Sequence, residues 1–288
     1  MPKSMAPAAK TARPKTAAAT QRASARPEAA APETPAYSAP ALDKGLDILE
    51  ALTDAEHGSS MAEIAQTLGR SVSEIFRMVV TLERRGWISS DPGDRYHLTS
   101  KMFELAHRNR PVRTLVEAAL PTMQLLSRRA RQSCHLSIVE SGRVLVIAHV
   151  EAPGTLSLIV RTGSVVGLFN TSSGHVFLAF RTPAERERLI EDHSLIAGES
   201  PAGRGNWQSA VEQVARDGYA CSPSEQLRGV TNLACPVWGR NRHVVAALVM
   251  PYVEGLGAQR GPSLEESRAQ LIEGAAAISR SLGYQLPE

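Results

Sequence analysis

Two groups of residues carry groups able to bind a charged partner. The first lies between residues 71 and 95: Ser71, Val72, Ser73, Glu74, Phe76, Arg77, Arg84 and Arg95. Hydroxyls and free amides at a helix start can bond phosphate. A guanidinium such as Arg77 can take the acceptor edge of guanine in a major groove, and Phe76 or Val72 can touch a thymine methyl. The plainer alternative makes Phe76 a partly buried packing residue and Arg77 a solvated charge. The second group is Asn170-Thr171-Ser172-Ser173-Gly174, where hydroxyls, unpaired amides and a glycine permitting close approach open a helix. That arrangement suits an anion, although the same residues serve equally well as an N-cap with no ligand.

Catalytic chemistry finds little support. His135, His149, His175 and His193 are scattered, and no nucleophile elbow, phosphate loop or zinc-binding helix motif occurs. Cys134 and His135 are neighbours, but on a strand they point to opposite faces. The three cysteines, Cys134, Cys221 and Cys235, include no close pair of the kind that a zinc ribbon or redox site needs. Neither enzyme activity, metal nor cofactor is expected, and the sparse cysteines suit a reducing cytoplasm.

The elements that must position the first group can be read from periodicity. Leu42, Leu46, Ile48, Leu49 and Leu52 recur at helical spacing among charged residues. Ser60 and Glu63 then form a capping box for a short helix over 61–68. Gly69 ends that helix as a left-handed cap, and a third helix begins near Ser71 or Ser73. Two short helices joined by a glycine-containing turn are the helix-turn-helix signature. At about 100° per residue, Ile75, Met78, Val79, Leu82 and Gly86 of the third helix share one face. Ser73, Phe76, Arg77, Val80 and Arg84 share the other. Trp87 to Ser89, the turn Asp91-Pro92-Gly93-Asp94 and Arg95 to Leu98 read as a hairpin, a wing beside the helices.

Thr99-Ser100 cap a helix through Arg108, Pro111 interrupts, and a long helix is expected from about Thr114 to Arg131. Strands are expected at 136–139, 144–150, 156–160, 231–237 and 244–249. Gly142 and Pro153-Gly154 suggest a meander of the first three. Helices are expected at 172–180, 183–191, 207–217 and 264–281. The pattern predicts an α+β chain in four parts: a tail over 1–40, a winged helix-turn-helix over 41–100, a helical linker over 101–113 and a sensor-like domain over 114–288.

Fourteen alanines and seven prolines fill residues 1–40, with Tyr37 the one aromatic. Such a segment buries too little to offset its ordering entropy, so disorder is expected. Its six basic residues against Glu28 and Glu33 suit weak phosphate contact, and Pro7 and Pro14 break any amphipathic targeting helix. Residues 41–100 hold six Lys/Arg and ten Asp/Glu, which first appears to oppose binding to a polyanion. Position resolves part of the conflict: Arg70, Arg77, Arg84, Arg85 and Arg95 fall in the turn, third helix and wing, whereas phosphate contact needs only local positive charge. No apolar run approaches the length of a membrane span, and 244–253 contains Pro251 and reads as a strand; a soluble protein is expected.

The runs Leu42-Asp43-Lys44-Gly45-Leu46-Asp47-Ile48-Leu49, Met61-Ala62-Glu63-Ile64-Ala65, Ser73-Glu74-Ile75-Phe76-Arg77 and Leu82-Glu83-Arg84-Arg85-Gly86-Trp87-Ile88 resemble the IclR family of transcriptional regulators. The likeness continues at 167–175, 217–219 and 229–237, so it spans about residues 41–285. The resemblance implies a sequence-specific DNA-binding regulator with a GAF-like effector domain that takes a small organic molecule, often a carboxylic acid. It further implies homodimers, which can pair into tetramers, on a pseudo-palindromic double-stranded operator. It implies an effector site at Phe169, Asn170, Thr171, Ser172, Ser173 and Gly174, with Asn232, Cys235 and Val249 on facing strands and Ser222 nearby. Val249 and Pro251 stand where some members carry serines, which points to a less polar or aromatic effector. A ligand-independent dimeric DNA-binding protein is the alternative.

Overall fold

The computed structural model describes residues 39–108, 110–155, 157–196, 199, 203–255 and 261–285. The expected disordered tail lies, up to residue 38, outside the described residues. The chain divides into two compact units at Thr99/Ser100. No described helix is long and apolar enough to cross a membrane.

The first unit holds α1 (Pro40–Thr53), β1 (Ser59–Ser60), α2 (Met61–Thr67), α3 (Val72–Arg84), β2 (Ile88–Ser90) and β3 (Arg95–Leu98). Proline at the start of α1 costs no hydrogen bond, because the first turn's amides have no intrahelical partner. Ile48, Leu49 and Leu52 of α1 meet Ile64 and Ala65 of α2, Ile75 and Val79 of α3, and Ile88 of β2. Leu42 and Leu46, counted above with the apolar stripe of α1, are instead exposed. Ser60 and Glu63 form the expected capping box on α2. Gly69 has φ +61, the left-handed conformation that lets the chain turn into α3. The wing is a three-stranded sheet in the order β1-β3-β2, because Ser59 and Ser60 pair with Tyr96 and Arg95.

The second unit begins with α4 (Lys101–Arg108) and α5 (Arg110–Ala130). Pro111 does not interrupt: it sits in the first turn of α5, where a missing amide is harmless, so the helix starts before the expected Thr114. Then follow β4 (Cys134–Glu140), β5 (Arg143–Val150), β6 (Val165–Val166), α6 (Ser172–Ala179), α7 (Pro183–Glu191), α8 (Gly203–Asp217), β7 (Ala220–Pro223), β8 (Val230–Trp238), β9 (Val244–Val253) and α9 (Leu264–Ser281). The strands form one antiparallel sheet in the order β6-β5-β4-β9-β8-β7. The expected strand at 156–160 is absent among its described residues, 157–160. The third strand of the meander is β6, pairing Val165 and Val166 with β5, and the apolar run before it lines a cavity instead.

Period-two alternation assigns the two faces of this sheet. Leu136, Leu233, Cys235, Val237, Leu248 and Met250 pack against Met123 and Leu126 of α5 and against Leu271 and Ile278 of α9. Ala234, Ala247 and Val249 pack on the other face with Val176 and Phe177 of α6, Leu189 of α7 and Val211 of α8. The second core surrounds the start of α6 and so fixes the site described next.

Candidate nucleic-acid interface and ligand cavity

On α3, burial of Ile75 and Val79 turns the opposite face outward. Val72, Phe76 and Val80 are exposed, with Phe76 at 52%. A phenyl ring more than half in water is not acting as core. Ser71, Ser73, Arg77 and Arg84 are also exposed, and neither Arg77 nor Arg84 has an ion pair among the described residues. The helix therefore displays hydroxyl, apolar and guanidinium groups together on one side.

Three of the anticipated DNA contacts, Ser71, Glu74 and Arg95, are engaged elsewhere. The Ser71 backbone N–H and hydroxyl both donate to the Glu74 carboxylate, at 2.9 and 2.8 Å, while Lys44 lies 3.6 Å from that carboxylate. Hydrogen bonds from the Ser71 backbone and side chain, then the Lys44 charge, hold the Glu74 carboxyl below its ordinary value. Glu74 thus caps α3. The Arg95 guanidinium donates to the carbonyls of His57 (3.0 Å) and Gly58 (2.8 Å) and pairs with Glu63 at 3.0 Å. It ties β3 to the turn before α2, and only part of it faces outward.

In the second unit a cavity of about 420 Å3 lies over the face of the sheet that carries Asn232, Val249 and Pro251. Asn170, Thr171, Ser172 and Ser173 line it from the start of α6. Thr171 caps the helix by accepting the Gly174 N–H at 3.1 Å, and its hydroxyl donates to the Gly167 carbonyl at 2.6 Å. By helix geometry the amides of Ser172 and Ser173 have no partner inside α6. The Ser172 hydroxyl reaches Ser222 at 3.1 Å and the Asn232 carbonyl at 3.3 Å, which seats α6 over β7 and β8. Ser222 thereby supports the cavity without lining it.

Gly174 and Phe169 are also supporting residues. A Cβ on Gly174 would overlap the Leu168 backbone, so glycine lets α6 lie against the preceding loop. Phe169 is buried, its ring edge-on to His193 at 5.0 Å and 5.9 Å from Trp207. Its carbonyl accepts a hydrogen bond from the His175 ring at 2.8 Å, and its N–H donates to Glu199 at 3.0 Å. Glu199 also meets His193 at 2.7 Å, and the other His193 ring nitrogen donates to the Gly142 carbonyl at 2.6 Å. These bonds lock the loop that enters α6.

Cys235 requires correction. It pairs with Leu248 on the sheet face covered by α5 and α9, an odd step from Asn232, so alternation turns its thiol away from the cavity. Burial pushes that thiol up to about 12.

Several lining residues went unanticipated. Leu158, Ile159 and Val160 come from the segment expected to be a strand, and Arg161 follows it; Ser224 to Leu227 and Ile196 come from loops. Arg161 and Glu225 are the charged side chains of the lining. His135 of β4 is the least expected: it is 6% exposed and shares its sheet face with Ser137. Alternation along Cys134 to Val139 carried the signal, because it places a histidine and a serine together on one face of an apolar strand.

A family model described as the IclR helix-turn-helix domain matches residues 41–92, and one described as the bacterial transcriptional regulator IclR C-terminal matches residues 111–280. The chain belongs to the IclR family. As an IclR-type regulator it binds DNA through the helix-turn-helix and a small-molecule effector through the C-terminal domain, in a family of regulators and not of enzymes. The glycerol operon regulatory protein of Streptomyces griseus is 27% identical over 245 residues, which cover 84% of this chain and 96% of that protein. The HTH-type transcriptional regulator XynR of Escherichia coli is 27% identical over 247 residues, covering 85% and 97%. Among solved structures, an IclR homologue from Microbacterium hydrocarbonoxydans complexed with 4-hydroxybenzoate matches with a TM-score of 0.70 at 21% identity, over 84% of this chain and 99% of that one. The Thermotoga maritima IclR matches with a TM-score of 0.65 at 24% identity, over 84% and 98%. Both structures share the fold.

Proposed function

We propose that this regulator reads a pseudo-palindromic operator as a homodimer, through Val72, Ser73, Phe76, Arg77 and Arg84, and that its cavity takes an organic acid with an aromatic body. The observation that carries the DNA half is the outward face of α3, where Arg77 and Arg84 have no ion pair among the described residues and Phe76 stands in water. A two-fold dimer would space its recognition helices about one turn of duplex apart. The exposed apolar side chains Met102, Phe103 and Leu105 of the short helix α4 support self-association.

The effector half rests on the chemistry of the cavity. Amides and hydroxyls at the start of α6 favour a carboxylate, and Arg161 adds positive charge. Leu158, Val160, Val166, Leu227, Val249 and Pro251 supply apolar walls, which suit a ring more than a sugar. The structural relative bound to 4-hydroxybenzoate supports the same class. Footprinting on DNA flanking the regulator's own gene, repeated with aromatic acids, tests both halves. Protection of two half-sites about one helical turn apart, altered by an aromatic acid, is expected. An unchanged footprint together with an unchanged melting temperature for every acid would overturn the effector reading.

A further inference from the structure

The polar groups around the cavity fall into two kinds. At the start of α6 the hydroxyls are already engaged: Thr171 with Gly167 and Gly174, Ser172 with Ser222 and Asn232, and Ser173 with Thr171 at 3.1 Å. His135 is different. Its side chain lines the cavity, lies more than nine-tenths buried, and its Nδ1 makes no hydrogen bond with any described residue. Directly opposite on β5 is His149, neither of whose ring nitrogens has a partner among the described residues. An unpaired buried polar atom is costly and uncommon, so an imidazole left this way in a cavity wall points to a group that enters the cavity.

The sheet register sets the separation of the two ends. The Ser172 hydroxyl lies over Asn232 of β8; β9 comes next in the sheet, followed by β4 with His135 paired to Val249. Two strand spacings amount to about 10 Å, and the two-residue offset between Pro251, opposite Asn232, and Val249, opposite His135, adds about 7 Å along the strands, so the two positions lie about 12 Å apart. Allowing a hydrogen bond of about 2.8 Å at each end leaves the span of a single ring. Burial, then the neighbouring His149, pushes the His135 ring down to about 3, so it stays uncharged at neutral pH. A neutral imidazole has one N–H and one lone pair. It cannot neutralise a second carboxylate, but it can satisfy a hydroxyl whichever tautomer it adopts.

We infer that His135 is a specificity-determining residue of the effector cavity, reading a neutral hydroxyl on the ligand at the end opposite the carboxylate held by α6. The inference rests on the effector reading proposed above. It narrows the ligand class to hydroxy acids in which one ring separates the two groups.

Calorimetric titration of the full chain with benzoate and with 4-hydroxybenzoate tests it. The hydroxylated acid should bind about 10-fold more tightly, the value of one buried hydrogen bond that otherwise goes unmade. In His135→Phe the ratio of the two affinities should fall to about one, whatever the change in benzoate affinity itself. In the unsubstituted protein labelled with 15N-histidine, 4-hydroxybenzoate and not benzoate should move the His135 ring resonances; this keeps the inference falsifiable if the variant fails to fold. Equal binding of the two acids, a preference that survives His135→Phe, or a still His135 resonance on saturation would overturn the role of His135. Failure of both acids to bind would overturn the aromatic-acid reading itself, and the inference with it.

Discussion

The outward face of α3 and the cavity over α6 solve opposite problems. The first is a display. One helix carries every group, and Phe76, Arg77 and Arg84 are exposed with no carboxylate among the described residues paired to the two guanidiniums. The second is an enclosure assembled from a helix start, four strands and several loops, whose hydroxyls are largely tied to one another. A displayed polar group keeps its hydration until a partner arrives. An enclosed one has lost it and must be satisfied by the fold or by a ligand. Residues of the first kind can therefore be replaced with little harm to folding, whereas residues around the enclosure carry stability as well as binding.

The largest test of that contrast is Glu199→Ala. Glu199 and His193 are fully buried against each other, and breaking such a pair should cost about 3–5 kcal/mol in denaturant unfolding. A loss below about 1 kcal/mol would mean that the loop entering α6 is held by other contacts. Gly174→Ala comes next, at about 1–3 kcal/mol, because the added methyl meets the Leu168 backbone, which has no rotamer to yield.

Arg77→Ala should leave stability within about 0.5 kcal/mol but weaken operator binding by about 1–3 kcal/mol and relax preference at one base pair. Unchanged sequence preference in a binding assay would remove α3 from the groove. Arg95→Ala should change operator affinity less than Arg77→Ala does, since that guanidinium is tied to His57, Gly58 and Glu63. The smallest effect belongs to Glu74→Gln. The folded state holds this carboxyl below its ordinary value, so its contribution is present above about pH 4.5 and is lost as pH falls through the lowered value. Unfolding curves of variant and parent should differ at neutral pH and converge in acid.

Much of the first unit was legible because its signals are local. The two faces of α3, the capping box at Ser60 and Glu63, and the turn at Gly69 each arise within a few residues, and all appear in the structure. Where reading failed there, the cause was a partner far away in the chain. Arg95 is tied to residues more than thirty positions earlier, and β1 exists only by pairing with β3. In the second unit α7 and α9 begin and end where their periodicity and caps place them. The apolar run at 157–160 carried strand composition, but composition does not say whether a run finds a neighbour in the sheet or a cavity to wall.

The amino-acid order alone decided that α1 to α3 form, that α2 is capped by Ser60 and Glu63 and closed at Gly69, and which face of α3 is buried. Those outcomes follow from a helical period and from caps that act within one turn. Only the tertiary structure decided that Cys235 turns away from the cavity, that Arg95 is tied to the turn before α2, and that His135 lines an enclosure. Each of those depends on which strand lies beside which and in what register, and a shift of one residue in register would reverse them all.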